Sequence, residues 1–425
     1  MSSPNIIIIT AHDLGWADLG CYGNPFHHTP HLDRLANEGI RFTQAYSAAP
    51  ICNPSRAAIF TGQYPARYNL TGQPGYKKDR SNRKLLHPGF ETELPEDIRT
   101  CGHELRDSSY RCAVTGVIGP GLGDKDLSHF GYDYLRTSND HEVTDVAVRF
   151  IAEHSLADRP FYLQVNHNWV HTPLRSQEDR VACFKARIDG GSPWNNATYA
   201  AVLEELDESV GCILEAVEAT GRAKDTVVMF LSDHGGYLGY CEADREEFRE
   251  SDAVTSNAPL KEGKASLYEG GIRIPWIIRW PSKIEAGRVS DSLVNQVDLY
   301  PTLMEIAGLE SSSRGDLDGV SLCPVLNNTA SDLADRTFYW HWPHYRRTRA
   351  GPGPAPSSAV RVGDWKLLEF FEDGRTELYN LRKDISESRN LADSNHGKRE
   401  ELLSDLRRWR ESVGAQLPIE NPDYA

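Results

Sequence analysis

The chain has 425 residues, a formal net charge of −15 at neutral pH and an apolar content of 39%. This length exceeds what one hydrophobic core usually serves, so we expect one large domain and a smaller one. The acidic balance argues against a nucleic-acid-binding protein or one that attaches to anionic membranes, because both need a basic surface. No basic leader is visible and the apolar runs are only strand-sized, so we expect a cytoplasmic protein without a membrane span.

Predicted strands and helices alternate over the first two thirds of the chain. The runs NIIIIT, from residue 5, and TVVMFLSDHGG, from residue 226, are typical of strands buried on both faces of a parallel sheet. Further strands are predicted at CAVTGVIG and RPFYLQVNH. Helices are predicted in HLDRLANEGIRF, with a stop at Gly39, and at HEVTDVAVRFIAEHS and ATYAAVLEELDESVGCILEAVEATG. This alternation predicts an α/β fold with helices on both faces of a sheet.

The sequence changes in character near residue 347. RTRAGPGPAPSS is rich in proline, glycine and serine, which is typical of a linker or surface loop. The stretch after it alternates with period two around Asp373-Gly374 and predicts a hairpin, and KREELLSDLRRWRESVG has the apolar spacing of a helix. We therefore predict a catalytic-type domain over residues 1–335 and a C-terminal α+β subdomain over 336–425, with a small antiparallel sheet and a terminal helix.

Polar residues in five short segments could carry chemistry. Ligands bind beyond the carboxyl ends of strands in α/β folds, so we expect these segments to converge. Carboxylates and imidazoles from separate strand ends can hold one divalent ion, and nearby cations can neutralise charge on a leaving oxygen. The candidates are His12 and Asp13 in AHDLG, Cys52 and Arg56 in CNPSR, His171 in VHTPL, Asp233 and His234 in SDHGG, and Lys264 in KEGKAS.

Each candidate also has a structural interpretation when it is taken alone. An aspartate after a strand often caps a helix, and a single buried cysteine is usually an inert hydrophobic side chain. A lone histidine is more often structural than catalytic, and a lone lysine is more often a solvated charge. Taken one at a time, none of these residues identifies a site.

CNPSRAAIFTG, which begins at Cys52, resembles the signature of the type I, formylglycine-dependent sulfatases, where Cys-x-Pro-Ser-Arg opens a helix and Thr-Gly follows. Segments similar to this family follow in its order: PNIIIITAHDLGWADLGCYGN, TPHLDRLANEGIRFTQAY, VHTPL, TVVMFLSDHGG, TSNAPLKEGKASLYEGGIRIPWIIRWP and VDLYPTLMEIAGL. The tail GDWKLLEFFEDGRTELYNLRKD resembles bacterial arylsulfatase-like members. The resemblance covers nearly the whole chain. It implies the fold of the alkaline phosphatase superfamily, a mixed, mostly parallel central sheet with helices on both faces.

The resemblance also implies an activity, the hydrolysis of aryl or carbohydrate sulfate monoesters. In this family a formylglycine-generating enzyme oxidises the cysteine at the position of Cys52; one oxygen of the hydrated aldehyde attacks sulfur and the other later expels sulfate. Arg56 is implied to support the nucleophile, Lys264 to contact the sulfate, and His171 to contact sulfate and help protonate the leaving oxygen. The implied ligands of one divalent metal ion, calcium by resemblance, are His12, Asp13, Cys52, Asp233 and His234.

This chain departs from the family pattern at two places. Members usually have Asp-Asp where it has His12-Asp13, and a second imidazole shifts the preference of a site from calcium towards manganese or zinc. Members usually read Ile-Gly-Lys-Trp-His-Leu-Gly where it has IGPGLGD from Ile118, so Pro120 replaces the lysine and the histidine is deleted. Loss of a general base typically costs about 10²–10⁴-fold in rate. Candidate substitutes for the missing groups are His103, Lys125, His129 and His167.

Three functional hypotheses stay open at this level. The first is an active sulfatase with an altered base, which the intact CNPSR, His171 and Lys264 favour. The second is a phosphate or phosphonate ester hydrolase of the same fold, which the Asp233-His234 pair suggests. The third is a catalytically impaired, sulfatase-like binding protein, which IGPGLGD suggests.

Overall fold

The structure, a computed structural model, describes residues 3–73, 83–119, 127–188, 190–239, 253–309, 315–330, 333, 336–345 and 355–424. Its strands are β1 (Asn5–Ala11), β2 (Ile40–Tyr46), β3 (Leu85–Leu86), β4 (Arg111–Gly116), β5 (Asp133–Leu135), β6 (Phe161–Asn166), β7 (Thr226–Ser232), β8 (Arg273–Arg279), β9 (Arg288–Asn295), β10 (Thr337–Trp342), β11 (Ser357–Val362), β12 (Trp365–Phe370), β13 (Thr376–Asn380) and β14 (Ile419–Glu420). Its α-helices are α1 (Pro30–Asn37), α2 (Cys52–Thr61), α3 (Cys101–Asp107), α4 (Asp140–His154), α5 (Glu178–Lys185), α6 (Ala197–Ala219), α7 (Glu269–Ile272), α8 (Leu299–Ile306), α9 (Cys323–Leu326) and α10 (His396–Ser412). Across these ranges, no helix is both long and apolar enough to cross a bilayer.

The large sheet has eight strands in the order β5-β4-β6-β1-β7-β8-β2-β9. β8 pairs antiparallel with β7 and with β2, whereas β4–β5, β4–β6, β1–β6, β1–β7 and β2–β9 are parallel pairs. The predicted mixed, mostly parallel sheet is therefore confirmed. β1 lies near its centre, where Ile7 pairs with Leu163 of β6 and Val228 of β7.

The composition of β1 explains why helices cover both faces of this sheet. All seven of its residues are buried, and successive side chains of a strand point to opposite faces. Ile6 and Ile8 pack into one core with residues of α2, α3 and α8. Ile7 and Ile9 pack into the opposite core with residues of α1, α4 and α6. A run of four isoleucines thus requires an apolar layer on each side.

A separate antiparallel sheet, in the order β10-β11-β12-β13, lies in the C-terminal part of the chain. The hairpin predicted around Asp373-Gly374 is the β12–β13 connection, and Gly374 adopts φ 69°, which glycine tolerates without a steric penalty. Leu402 and Leu406 of α10 pack in one core with Val360 of β11. The boundary between residues 335 and 336 stays a prediction.

The predicted stop of the first helix at Gly39 is confirmed, because α1 ends at Asn37 and the chain enters β2 at Ile40. One predicted loop differs from the structure. Ser357 and Ser358, the end of the predicted loop RTRAGPGPAPSS, are the first residues of β11, and residues 346–354 lie outside the described residues.

Candidate active site

Three neighbouring strands, β6, β1 and β7, deliver polar side chains to one edge of the large sheet. His12 and Asp13 follow β1, Asp233 and His234 follow β7, and Asn168 lies two residues beyond β6. The backbone N–H of Asp13 donates to Oδ1 of Asp233 at 3.0 Å, which ties two of these strand ends together. Asp13 adopts φ 57°, a conformation rare outside glycine that persists where the surroundings enforce it, often at functional sites.

Cys52 is the first residue of α2, a helix in which all ten residues are buried. The free N–H groups and the dipole of a helix make its N-terminus favourable for negative charge. Two imidazoles meet the sulfur from the strand ends: Nε2 of His12 lies 2.7 Å from Sγ, and Nε2 of His234 lies 3.1 Å from it. Any group at position 52 therefore faces the strand ends and a positive helix terminus together.

The five predicted metal ligands meet in one buried group. Within the described part of the chain, one ligand atom from each of His12, Asp13, Cys52, Asp233 and His234 lies within 4.8 Å of all the others. Nε2 of His12 is 3.4 Å from Oδ2 of Asp233, and Nε2 of His234 is 3.2 Å from Oδ1 of Asp13. Two carboxylates, two imidazoles and a sulfur suit one divalent ion, so these residues fit a divalent metal ion of the kind that the family uses.

Arg56 reaches this group from α2 through Asp233. Its Nε and Nη2 donate to Oδ2 of Asp233, each at 3.2 Å, and its Nη1 donates to the carbonyl oxygen of Val117 beyond β4. The guanidinium is buried with the carboxylate that it binds. Arg56 thus holds a cluster carboxylate and the segment after β4, and it supports residue 52 through those contacts.

Lys264 and His171 lie at the open side of the cluster. Nζ of Lys264 donates to both carboxylate oxygens of Asp13, at 2.8 and 2.7 Å. Nε2 of His171 is 4.0 Å from Oδ2 of Asp13, and its ring centroid is 4.3 Å from that of His12. Their side chains are 13% and 31% exposed, against 1% for Asp13, so they border solvent where an anionic ligand would enter.

The two carboxyl groups are held ionised by their surroundings. Burial alone would raise the pKa of Asp13, but Lys264 and the nearby imidazoles outweigh it and the pKa lies well below the usual range. Burial likewise opposes the ionisation of Asp233, yet the imidazoles and Arg56 lower its pKa to about 2. Both groups are therefore carboxylates at any physiological pH.

The imidazoles and the thiol are shifted in the opposite sense, towards their neutral forms. Burial lowers the pKa of His12 well below its ordinary value and also lowers that of His234. Burial raises the pKa of the Cys52 thiol far above its usual range. Because the thiolate is the reactive form of cysteine, the unmodified side chain of Cys52 is a poor nucleophile at neutral pH.

A cleft of about 520 Å³ opens beside Cys52, at the ends of β4, β5 and β6. Its lining combines polar and apolar groups, with one arginine and one carboxylate among the described residues. Its polar side chains include those of Asn53, Gln73, Tyr134, Ser138, Asp140 and Asn168. These side chains offer hydrogen bonds to a polar ligand, and Val117, Ile118 and Val143 add apolar surface.

The segment that departs most from the family pattern borders this cleft. Ile118 and Gly119 line it, whereas Pro120 and the rest of IGPGLGD lie outside the described residues. Gly119 adopts φ 72°, and a Cβ there would lie 2.9 Å from Cδ of Arg56. Glycine is therefore required at this point, by backbone conformation and by the packed guanidinium stem.

Of the predicted substitutes for the missing base, the three histidines that the structure describes form their hydrogen bonds away from the cluster. His167 is fully buried and its Nε2 pairs with Oγ of Ser209 at 3.0 Å. His103 takes part in the capping box of α3, and Nε2 of His129 binds a loop carbonyl at 2.8 Å. Lys125 lies outside the described residues.

Sequence reasoning missed Asn168. Its Oδ1 lies 2.8 Å from Nδ1 of His12, and its backbone N–H donates to Oδ1 of Asp140 at 2.6 Å. Asn168 follows β6 much as Asp13 follows β1. Asn168 would have been found by considering the polar residues after every predicted strand, because ligands in α/β folds bind beyond the carboxyl ends of the strands.

Known proteins similar to this chain are sulfatases. The Sulfatase family model matches residues 4–309, and the model for the C-terminal part of N-sulphoglucosamine sulphohydrolase matches residues 263–412. The chain is 29% identical to a sulfatase of Formosa agariphila over 96% of this chain and 88% of that protein. It is 29% identical to human arylsulfatase A over 95% and 86% of the two chains, and 30% identical to mouse N-acetylgalactosamine-6-sulfatase over 80% and 68%.

Solved structures give the same result for the fold. Ps i-CgsB in complex with k-i-k-neocarrahexaose has a TM-score of 0.78 at 26% identity, covering 97% of this chain and 94% of that chain. The PsFucS1 sulfatase from Pseudoalteromonas sp. has a TM-score of 0.73 at 20% identity, covering 98% and 92%. With a family match over most of its length, the chain belongs to the sulfatase family of the alkaline phosphatase-like superfamily and is a sulfuric ester hydrolase.

Proposed function

We propose that this sulfatase hydrolyses sulfate monoesters of saccharides, using a formylglycine made from Cys52 and one divalent metal ion. The observation that carries the proposal is the position of Cys52. It begins a buried helix and lies within 4.8 Å of two carboxylates and two imidazoles. A thiol with a raised pKa is a poor nucleophile there, whereas a formylglycine supplies a hydrated aldehyde whose oxygen can attack sulfur.

Residue 52 together with His12, Asp13, Asp233 and His234 would hold the metal ion. A bound divalent ion supplies positive charge that stabilises a sulfate group and an ionised oxygen nearby. Arg56 helps the imidazoles of His234 and His12 to keep Asp233 ionised, and its two hydrogen bonds of 3.2 Å hold Oδ2 of that carboxylate in place.

Lys264 and His171 act on the sulfate group and on the leaving oxygen. Lys264 brings a buried ammonium to the open side of the cluster, where it stabilises the negative charge of the sulfate. Nδ1 of His171 lies 2.6 Å from the carbonyl oxygen of Thr172, which can only accept, so Nδ1 keeps its proton. Nε2 is then the nitrogen that faces the cluster. When Nε2 also carries a proton, it can deliver that proton to the leaving oxygen, and the ring is left neutral with its remaining proton on Nδ1.

A saccharide fits the cleft better than a steroid or a simple aryl group. Asn53, Gln73, Ser138 and Asn168 present amide and hydroxyl groups, which pair with the hydroxyls of a sugar ring. A steroid offers few hydrogen-bonding groups to these side chains, so it would gain less from them than a sugar ring. The complex of Ps i-CgsB with a neocarrahexaose supports the same substrate class.

The proposal is tested on protein produced together with a formylglycine-generating enzyme. We expect the mass spectrum of the peptide over Cys52 to show replacement of SH₂ by O. The converted protein should release sulfate from sulfated saccharides faster than phosphate from an aryl phosphate, and the Cys52→Ala variant should release neither. An unmodified thiol, or a preference for the phosphate ester, would contradict the proposal. Converted, metal-loaded protein without any turnover would favour a binding protein instead.

A further inference from the structure

We propose that Asn168 is a positioning residue that fixes His12 as a second nitrogen ligand, and that this pair selects a metal ion such as Mn²⁺ or Zn²⁺ over Ca²⁺. The inference rests on the metal site proposed above and names the ion that this site prefers. It concerns the position where the chain has histidine in place of the usual aspartate, and an asparagine that no motif singles out.

Asn168 determines which ring nitrogen of His12 carries the proton. Its Nδ1 lies 2.8 Å from Oδ1 of Asn168, and an amide oxygen can only accept a hydrogen bond. Nδ1 of His12 is therefore the donor and carries the proton. A neutral imidazole has one N–H, so Nε2 presents its lone pair. That nitrogen faces the cluster, 2.7 Å from Sγ of Cys52 and 3.4 Å from Oδ2 of Asp233.

The proton of His234 is held on Nδ1 in the same way as that of His12. Its Nδ1 lies 3.0 Å from the carbonyl oxygen of Gly235, another group that only accepts. Its Nε2 therefore also presents a lone pair, 3.2 Å from Oδ1 of Asp13. Histidines that ligate metals almost always donate their other N–H to such a partner. Two imidazoles thus aim lone pairs at one centre.

Asn168 is itself held in place by its neighbours. Its backbone N–H donates to Oδ1 of Asp140, the first residue of α4, at 2.6 Å. The preceding residue, His167, donates its backbone N–H to the carbonyl oxygen of Thr10 at 2.9 Å, which continues the pairing of β6 with β1. Asn168 is therefore tied to the sheet and to α4, and its amide is placed to orient His12.

The consequence is a change in the donor set. Calcium takes six to eight oxygen ligands, whereas imidazole suits zinc and other transition metals. Replacing an aspartate by His12 removes one oxygen donor and one negative charge, both of which calcium favours. An imidazole held in the ligating tautomer adds the donor that a transition metal favours.

The test measures metal binding directly, in metal-free protein carrying Cys52→Ala, because a free thiolate would itself bind zinc. Calorimetric titration with MnCl₂ and with CaCl₂ gives the two affinities, and pulsed electron paramagnetic resonance of bound Mn²⁺ counts the coordinated nitrogens. We expect Mn²⁺ to bind more tightly than Ca²⁺ and to couple to two imidazole nitrogens. His12→Asp should leave one nitrogen and lower the ratio of Mn²⁺ to Ca²⁺ affinity by about tenfold or more.

Two substitutions of Asn168 separate positioning from packing. Asn168→Leu removes the acceptor and should weaken Mn²⁺ binding by about 10–100-fold while changing Ca²⁺ binding little. Asn168→Asp keeps an acceptor of the same shape and should retain the parent preference for Mn²⁺. Thermal unfolding of each metal-free variant shows whether it is folded. If Asn168→Leu is unfolded, Asn168→Asp and His12→Asp still decide the result.

The outcomes distinguish this inference from the proposed function. Bound Mn²⁺ with a single coordinated nitrogen in the parent protein, or tighter binding of Ca²⁺ than of Mn²⁺, would overturn the inference and leave the metal site intact. If Asn168→Leu weakens the binding of Mn²⁺ and of Ca²⁺ equally, Asn168 contributes packing and does not orient His12. Failure of the formylglycine-containing protein to bind either ion would overturn the proposed metal site itself.

Discussion

Arg56 has one of the largest fully buried side chains among the described residues, and its guanidinium acts through Asp233. A charge inside a protein is tolerated when a partner neutralises it and hydrogen bonds satisfy its donors. Arg56 meets both conditions with a carboxylate of the cluster and a carbonyl beyond β4. The contact between Arg56 and Asp233 therefore stabilises the fold and also positions one of the metal ligands.

Arg56→Met should lower the free energy of unfolding by about 3–5 kcal/mol, because Asp233 would remain buried without its partner. Urea denaturation of the metal-free protein measures this change. Arg408→Met is the matched control, since Arg408 pairs with Asp405 in a far more exposed position. That control should change stability by less than about 1 kcal/mol. If the two variants lose similar amounts of unfolding free energy, the buried Arg56–Asp233 pair contributes no more to stability than an exposed ion pair does.

At the scale of elements, α7 and the small sheet meet through a buried charge network. Nζ of Lys366 in β12 lies 2.9 Å from a carboxylate oxygen of Glu269 in α7 and 2.9 Å from one of Glu387. One ammonium thus faces two carboxyl groups in a buried space. The two groups respond in opposite directions: the pKa of Glu269 falls to about 2, whereas burial raises that of Glu387 to about 7.

The raised pKa of Glu387 predicts a pH dependence of stability. Between its ordinary value of 4.5 and about 7, the folded state binds a proton that the unfolded state has released. The free energy of unfolding should therefore fall as pH rises through this window. Glu387→Gln mimics the protonated form, so its stability relative to the parent should increase from pH 5 to pH 8. Chemical denaturation across this range measures the difference, and a constant difference would contradict the assignment.

At the scale of the whole molecule, the small sheet completes the packing around the site. Trp340 of β10 shares one apolar core with Ile51 and Cys52, at the start of α2, and with Leu267, three residues after Lys264. Its Nε1 donates to the carbonyl oxygen of Ser47 at 2.7 Å, just before those residues. The C-terminal sheet therefore supports the active-site loops from behind.

Trp340→Ala should lower the free energy of unfolding by about 3–5 kcal/mol, because a fully buried indole leaves a large cavity. Calorimetry of the unmutated protein should show one unfolding transition, since the two sheets share this core. The variant should keep a single transition at a lower temperature. A separate low-temperature transition for the C-terminal part, in either protein, would show that the two sheets unfold independently.

Local patterns predicted most of the elements and the segments that carry the candidate site residues. NIIIIT predicted β1 because such a short β-branched run is typical of a strand buried on both faces. Asp13 and Asp233 became candidates because polar residues directly follow apolar runs at strand ends. The start of β11 was not predicted, because pairing with β10 and β12 decided it.

By itself, the sequence determined the fold class, the signature at Cys52 and the family, because each depends on short runs of neighbouring residues. Only the tertiary structure decided that Asn168 orients His12, a contact between residues 156 positions apart. It also decided that Arg56 binds Asp233. The physical reason is the order of strands: β6 and β7 flank β1 in the sheet although they lie far from it along the chain, and no local pattern encodes which strands become neighbours.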